Sequence, residues 1–461
     1  MKNNNPETFI PLSNEATVEI ATEAMDAVLD IYTSSSIRKN FSWLLTGNIV
    51  TELSLFAVLI VLAKLGSAQI QGRFLLCLGI VTPVAVFTSL GLRALLITDS
   101  FNLYKFYNYL YLRIISCAVS VIVCLLIGFY LMLYESSYDK SFLYAFGFIA
   151  GFKAFDFVSD ICYAAFQKKE NMKYIGISKG VKAIGALIVT VILLWFTHSL
   201  TITMFGWLVL YGSMTLLYDL PKTKKYYPLY GHLNFKNIAA LAKQSVPLVI
   251  STVFITLNVN LPRYIIAAYY GEDYVGYFGS MSYVSVAMAM IFVAIGNALL
   301  PRMTDYFDNT PSAIWPLVVK AALVVVVICI PAFFVCLLYG KMILQLLFSP
   351  QHAQFVEVLW IFAGASVFVG LSSLMGFVGT ACRAFTASAI VGAVVLVVTL
   401  IGGLILVPKY SLVGAVWTNA ISNIVGFVLM TAVVTWYIVR KSAVLNKVTV
   451  LKGYSNDYQK S

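Results

Sequence analysis

The chain has 461 residues, of which 60% are hydrophobic and only 11% charged. Soluble proteins are about 45–50% apolar and about 25% charged, so these side chains cannot clothe a water-facing surface; a soluble globular enzyme and a disordered chain are both excluded. The formal net charge of +11 would point to nucleic acid in a soluble protein, but here it reads as the Lys and Arg excess of membrane-protein loops.

Residues 1–40 come first, a polar and acidic tail with no cleavable signal pattern. Glu15, Glu19, Glu23, Asp26 and Asp30 recur every three or four residues, which predicts an amphipathic helix with an acidic stripe facing away from Val18, Met25 and Leu29. Six apolar runs follow, at 41–65, 74–97, 109–134, 142–166, 175–196 and 202–217. A polar connection separates them from six more, at 246–269, 274–300, 315–339, 355–380, 387–407 and 413–439. A bilayer core about 30 Å thick needs about 20 residues of helix, and unpaired backbone is too costly in lipid for anything but a helix here. Only the sixth run is short. The expected organisation is an N-lobe at 41–220, a connection at 221–245, a C-lobe at 246–440 and a basic tail at 441–461.

With both ends on the cytoplasmic side, eighteen Lys and Arg residues from Lys2 to Lys460 fall in cytoplasmic segments. The opposite loops hold Arg73, Lys140, Lys341 and Lys409, a strong bias toward that orientation. The second run ends Ala94-Leu95-Leu96 with Asp99 and Phe101 beyond it, and the eighth ends Ala298-Leu299-Leu300 with Asp305 and Phe307 beyond. This echo, six runs apart, predicts two halves of like topology related by an axis along the membrane normal. The seven cysteines lie in or beside apolar runs without a C-x-x-C pair and read as small buried hydrophobes; neither a metal site nor a cofactor is expected.

An ionisable group within a span costs about 2.5–3.5 kcal/mol by insertion scales, so those retained are candidates for function. Lys64, Arg93, Arg113, Lys179, Lys243, Lys320 and Glu357 lie near helix ends, where snorkelling to water is the plainer explanation. Lys153, Asp156 and Asp160 share one face of the fourth span, where ion pairing offsets part of the burial cost. Arg263 follows Pro262 well inside the seventh span, beside Asn258 and Asn260, a setting that suits a water-filled cavity. A hollow lined by Arg93, Arg113, Lys153, Lys179, Lys182, Arg263 and Lys320 against Glu52, Asp156 and Asp160 would be net cationic. It would attract a phosphate or diphosphate, since Arg offers a fork to phosphate oxygens and Lys a point charge. The three acids are alternatively carriers of a coupling ion.

The stretch Asp156-Phe157-Val158-Ser159-Asp160-Ile161-Cys162-Tyr163, followed by Gln167-Lys168-Lys169-Glu170-Asn171-Met172 and Ile177-Ser178-Lys179-Gly180, resembles the fourth-span end of oligosaccharide-lipid flippases. So do Asn260-Leu261-Pro262-Arg263-Tyr264, the later Gly276-Tyr277-Phe278 and the helix end Leu300-Pro301-Arg302. From about residue 41 to 440 the chain is similar to the Wzx-type polysaccharide flippases of the MATE-like MOP superfamily. The resemblance implies an all-α integral membrane protein of about twelve transmembrane helices, in two six-helix lobes around a central cavity. It implies a cargo of oligosaccharide on undecaprenyl diphosphate, moved from the cytoplasmic to the outer leaflet of a bacterial inner membrane by alternating access. Coupling to H+ or Na+, contact with membrane lipid and partnership with polysaccharide polymerase machinery belong to the same expectation. One departure is Pro262, which stands where related flippases often have Asp, so no coupling carboxylate carries over to that position.

Three rival readings have discriminating features. A cation or drug antiporter of the same superfamily would want an acidic cavity. A membrane polymerase or lipid-linked glycosyltransferase would want a sizeable external loop, and the longest candidate spans 340–354. An ATP-driven transporter would want G-x-x-x-x-G-K-[ST], which is missing from the chain. No nucleic-acid module is visible.

Overall fold

The computed structural model describes residues 35–99, 103–135, 138–232 and 235–458; the acidic stripe at 15–30 lies outside the described residues. Among the described residues every regular element is a helix. In chain order these are α1 (Ser35–Val61), α2 (Ala68–Ser89), α3 (Phe106–Tyr134), α4 (Lys140–Lys168), α5 (Met172–Thr197), α6 (Leu200–Met214), α7 (Phe235–Tyr270), α8 (Glu272–Asn309), α9 (Ile314–Leu347) and α10 (Val356–Ala381). The last long helical stretch, Phe385–Tyr458, breaks at Ser411 (φ 52°, ψ −131°), giving α11 at 385–410 and α12 at 412–458. Twelve helices thus stand where twelve runs were expected, and ten helical stretches among the described residues, the last comprising α11 and α12, are long and apolar enough to cross a membrane.

Local sequence sets the starts. The side chains of Ser67, Asp139 and Ser199 each accept a hydrogen bond from the backbone N–H three residues on, capping α2, α4 and α6. The sixth run proves longer than its hydropathy suggested. α6 continues through a π-turn at Thr215–Asp219 and a last turn at Leu220–Lys224, so the first residues of the expected connection are helical. The paired echo has two local structures. After α2, the left-handed residues Leu90 (φ 55°) and Gly91 (φ 60°) precede a separate short helix, Leu92–Thr98. Its counterpart stays inside α8, with Pro301 incorporated.

An even number of crossings puts the start of α1 and the end of α12 on one face, called here the tail face; the other is the far face. The hydrophobic cores distinguish them. One core runs through the far half of both lobes, joining Phe74, Phe142 and Trp207 to Ile266, Phe278, Phe362 and Val416. The tail halves have separate cores. One holds Leu92, Tyr109, Ile161, Phe166 and Ile175, and takes in Ile238 and Leu241 at the start of α7; the other holds Met303, Val318, Met375, Val378 and Met430.

At the far face α2 packs on α8 through Gly72 and Gly276, where a Cβ on either glycine would collide with the other helix's backbone. Arg73 Nε donates to both carboxylate oxygens of Glu272 at 3.0 Å, and Arg73 Nη1 lies 3.6 Å from Asp139. His352, which the sequence places in a loop, is buried, with its Nε2 3.2 Å from Gln71 Oε1. The lobes thus share one core across the far half, whereas toward the tail face their cores are separate and only the start of α7 packs on the N-lobe.

Candidate functional site: a charged hollow in the N-lobe

Five helices converge on a hollow of about 160 Å³ near mid-span. α1 brings Thr51 and Ser54, α2 brings Leu78, α4 brings Phe152, Lys153 and Asp156, α5 brings Lys179 and Lys182, and α6 brings Trp207 and Tyr211. Spacings of three residues within α4 and α5 put each charged pair on one helix face. Lys153 Nζ lies 3.6 Å from Asp156 Oδ2, and their side chains keep 24% and 35% exposure, so the hollow is open rather than sealed. Lys179 donates to Asn48 Oδ1 at 2.8 Å. Glu52 lies within electrostatic reach of both Lys153 and Lys179.

Lys182 is held differently. Its ammonium donates to Asp219 Oδ2 at 3.0 Å, Ser159 Oγ at 2.5 Å and the Tyr163 hydroxyl at 3.3 Å, and Asp219 is fully buried. Sequence reading missed Asp219 because the sixth apolar run ends at Leu217. The available signal was an acid enclosed by Leu216, Leu217, Tyr218 and Leu220.

A second cluster sits toward the tail face. Arg93 Nη1 donates to Asp160 Oδ1 at 2.6 Å and Arg93 Nη2 to Gln167 Oε1 at 3.0 Å. Arg113 approaches the other oxygen of Asp160 at 3.8 Å. Arg113 is 1% exposed, and its Nε and Nη1 have no hydrogen-bond partner among the described residues. The expectation of snorkelling therefore fails for Arg93, Arg113 and Lys179, which turn inward to carboxylate or amide oxygens. Lys64, Lys243, Lys320 and Glu357 are exposed, as snorkelling requires.

Arg263 does not line the N-lobe hollow. It sits on α7 at the lobe junction, with Nη1 donating to Asn260 Oδ1 at 2.9 Å and Nε buried without a partner among the described residues. Tyr283 of α8 is within electrostatic reach of both Arg263 and Glu52, and its ring stacks on Phe56 of α1 at 5.6 Å between centroids.

Of the predicted positions, Lys153, Asp156, Lys179 and Lys182 share the hollow, with Glu52 close to two of these lysines. Arg93, Arg113 and Asp160 form the neighbouring cluster, and Arg263 belongs to the other lobe. Lys320 stands apart in an apolar groove with Ile295, Ala298 and Leu317. Counting Asp219 and omitting Lys320, six bases face four acids. The positive excess is two, smaller than the sequence suggested.

The pattern that defines the polysaccharide biosynthesis protein family matches residues 37–307. The Staphylococcus aureus capsular polysaccharide biosynthesis protein CapF is 26% identical over 396 residues, covering 85% of this chain and 97% of CapF. Among solved structures, an inward-facing multidrug resistance MATE transporter of the MOP superfamily superposes with TM-score 0.69 at 12% identity, over 86% of this chain and 96% of that one. The lipid II flippase MurJ in an inward closed conformation superposes with TM-score 0.66 at 14% identity, over 89% of this chain and 92% of MurJ. At such identities the superpositions speak for the fold alone, two six-helix lobes, while the sequence pattern covers more than half of the chain. The protein belongs to the polysaccharide biosynthesis protein family.

Proposed function

We propose that the protein is a flippase for undecaprenyl-diphosphate-linked oligosaccharide repeat units, working in a bacterial inner membrane with both termini cytoplasmic. The tail face is then cytoplasmic, and the cleft between the separate tail-side cores admits the headgroup from that side. Sugars and phosphates cannot cross hydrocarbon unaided, because each stripped polar group costs several kcal/mol. The observation that carries this reading is the convergence of Lys153, Lys179 and Lys182 on an open hollow at mid-span. At about 30 Å³ of liquid volume per water, that hollow suits a phosphate-sized group and leaves the glycan to the wider cleft. Lys153 and Lys179 are the cations available to an incoming anion, since Lys182 is locked to buried Asp219 at 3.0 Å, whereas the pair of Lys153 with Asp156 is longer, 3.6 Å, and partly exposed. Arg263 would meet the cargo at the closed end of the cleft. Asp156, Asp160 and Glu52 are the candidates for carrying a coupling H+ or Na+.

The positive excess disfavours a cation or drug antiporter. A polymerase or glycosyltransferase reading is disfavoured by the short far-side connections, since α9 runs to Leu347 and a helical turn resumes at His352. The test is complementation. Deleting the gene should trap lipid-linked repeat units facing the cytoplasm, and the Arg263→Ala variant should fail to restore surface polysaccharide at normal protein level. Normal glycan display in that variant would remove Arg263 from the mechanism.

A further inference from the structure

A second groove, of about 560 Å³, lies between the lobes on the far half of the molecule. Leu76 and Ile80 of α2 and Leu131 of α3 form one wall, and Leu257 and Ala268 of α7 form the other. Along α2 it runs from Gln69 to Pro83, about 21 Å at 1.5 Å per residue. That exceeds the roughly 15 Å depth of one leaflet's hydrocarbon. The surface around it faces lipid: Leu126 and Tyr130 on α3 and Ile255 and Val259 on α7 are all more than half exposed. An apolar slot opening onto hydrocarbon loses dispersion contacts unless a chain fills it, and water gains nothing there.

The mouth has a different character. It is formed by Glu135, Glu272 and Asp273 at the far ends of α3 and α8. Glu272 is held by Arg73, whereas among the described residues neither Glu135 nor Asp273 carries an ion pair, and both are exposed. Two such carboxylates repel a diphosphate, which argues against the flippase's own cargo lipid as the occupant. They suit a cationic group able to donate charge-assisted hydrogen bonds.

We infer that this groove seats one acyl chain of a far-leaflet phospholipid whose headgroup bears a primary ammonium, with Glu135 and Asp273 as its charge partners. α2 and α3 belong to one lobe and α7 to the other, so the bound lipid bridges them and favours the far-closed arrangement over one in which these walls separate. The assignment does not depend on which cargo the protein moves.

The full chain, purified in mild detergent and given equal amounts of phosphatidylethanolamine and phosphatidylglycerol, is read by native mass spectrometry. Phosphatidylethanolamine should be retained severalfold over phosphatidylglycerol. Glu135→Gln with Asp273→Asn should bring the two to parity while still holding lipid, and Ala268→Trp, which plugs the groove, should lose the bound lipid while eluting as a single folded species. Should that variant fail to fold, Leu131→Trp plugs the opposite wall and reads the same loss. Equal retention in the unaltered protein, or a preference that survives the double substitution, overturns the headgroup assignment. Unchanged retention in a folded plugged variant overturns the site.

Discussion

The two lobes have six helices each but differ in their interiors. Inside the N-lobe, Glu52, Arg93, Arg113, Lys153, Asp156, Asp160, Lys179, Lys182 and Asp219 lie buried or half-buried, linked by ion pairs between helices. Among the described residues, the C-lobe interior is neutral apart from Arg263 at the junction and Glu272 at the far face. Thr399 donates to Asn258 Oδ1 and lies 2.7 Å from Ser422 Oγ, Ser285 is 3.2 Å from Ser366, and Asn423 donates to Asn419 at 3.0 Å. The two lobes have therefore been filled with two chemistries, one suited to a charged group and one made of hydroxyls and amides. The family reading concerns the frame; the mechanism has to be sought in the difference.

The most damaging way to break that contrast is to strip one charge from the buried pair. Lys182→Met or Asp219→Leu alone should destabilise the protein by about 3–5 kcal/mol, because each leaves an uncompensated buried charge. The double variant, an N-lobe made neutral like its partner at this point, should recover most of the loss. Thermal unfolding in detergent checks both, and a double variant no better than the singles would mean that the pair is not isolated from its surroundings. In the C-lobe, Thr399→Val should cost about 1–3 kcal/mol by leaving Asn258 and Ser422 short of a partner, with no change of charge. Arg383→Ala should cost less than about 1 kcal/mol by the same assay, since its pair with Asp308 is 67% exposed on the Arg side.

Much of this is legible in the sequence. Apolar runs fix crossings because lipid leaves the backbone no alternative, and the motifs around Asp156 and Arg263 pointed to the right family. The pairing was not legible. Arg93 and Arg113 lie near helix ends and read as snorkelling residues, yet both turn toward Asp160, sixty-seven and forty-seven positions away. Asp219 was lost because hydropathy ended the sixth run at Leu217, while the helix continues through a π-turn that tucks the acid beneath Lys182. Linear sequence shows that a charge is retained in a span; which helix faces it is a tertiary fact. Arg263 shows the same limit from the other side: its place on the seventh span of the C-lobe was legible, but not that it stands outside the hollow of the lysines.

The central claim is that the N-lobe lysines hold the anionic headgroup. It is tested most directly by titrating purified protein with undecaprenyl-diphosphate-linked oligosaccharide and comparing the unaltered chain with the Lys153→Ala, Lys179→Ala double variant. Binding should fall at least tenfold in the variant while its unfolding temperature stays close to that of the unaltered chain. Undiminished affinity in the folded variant would contradict the account.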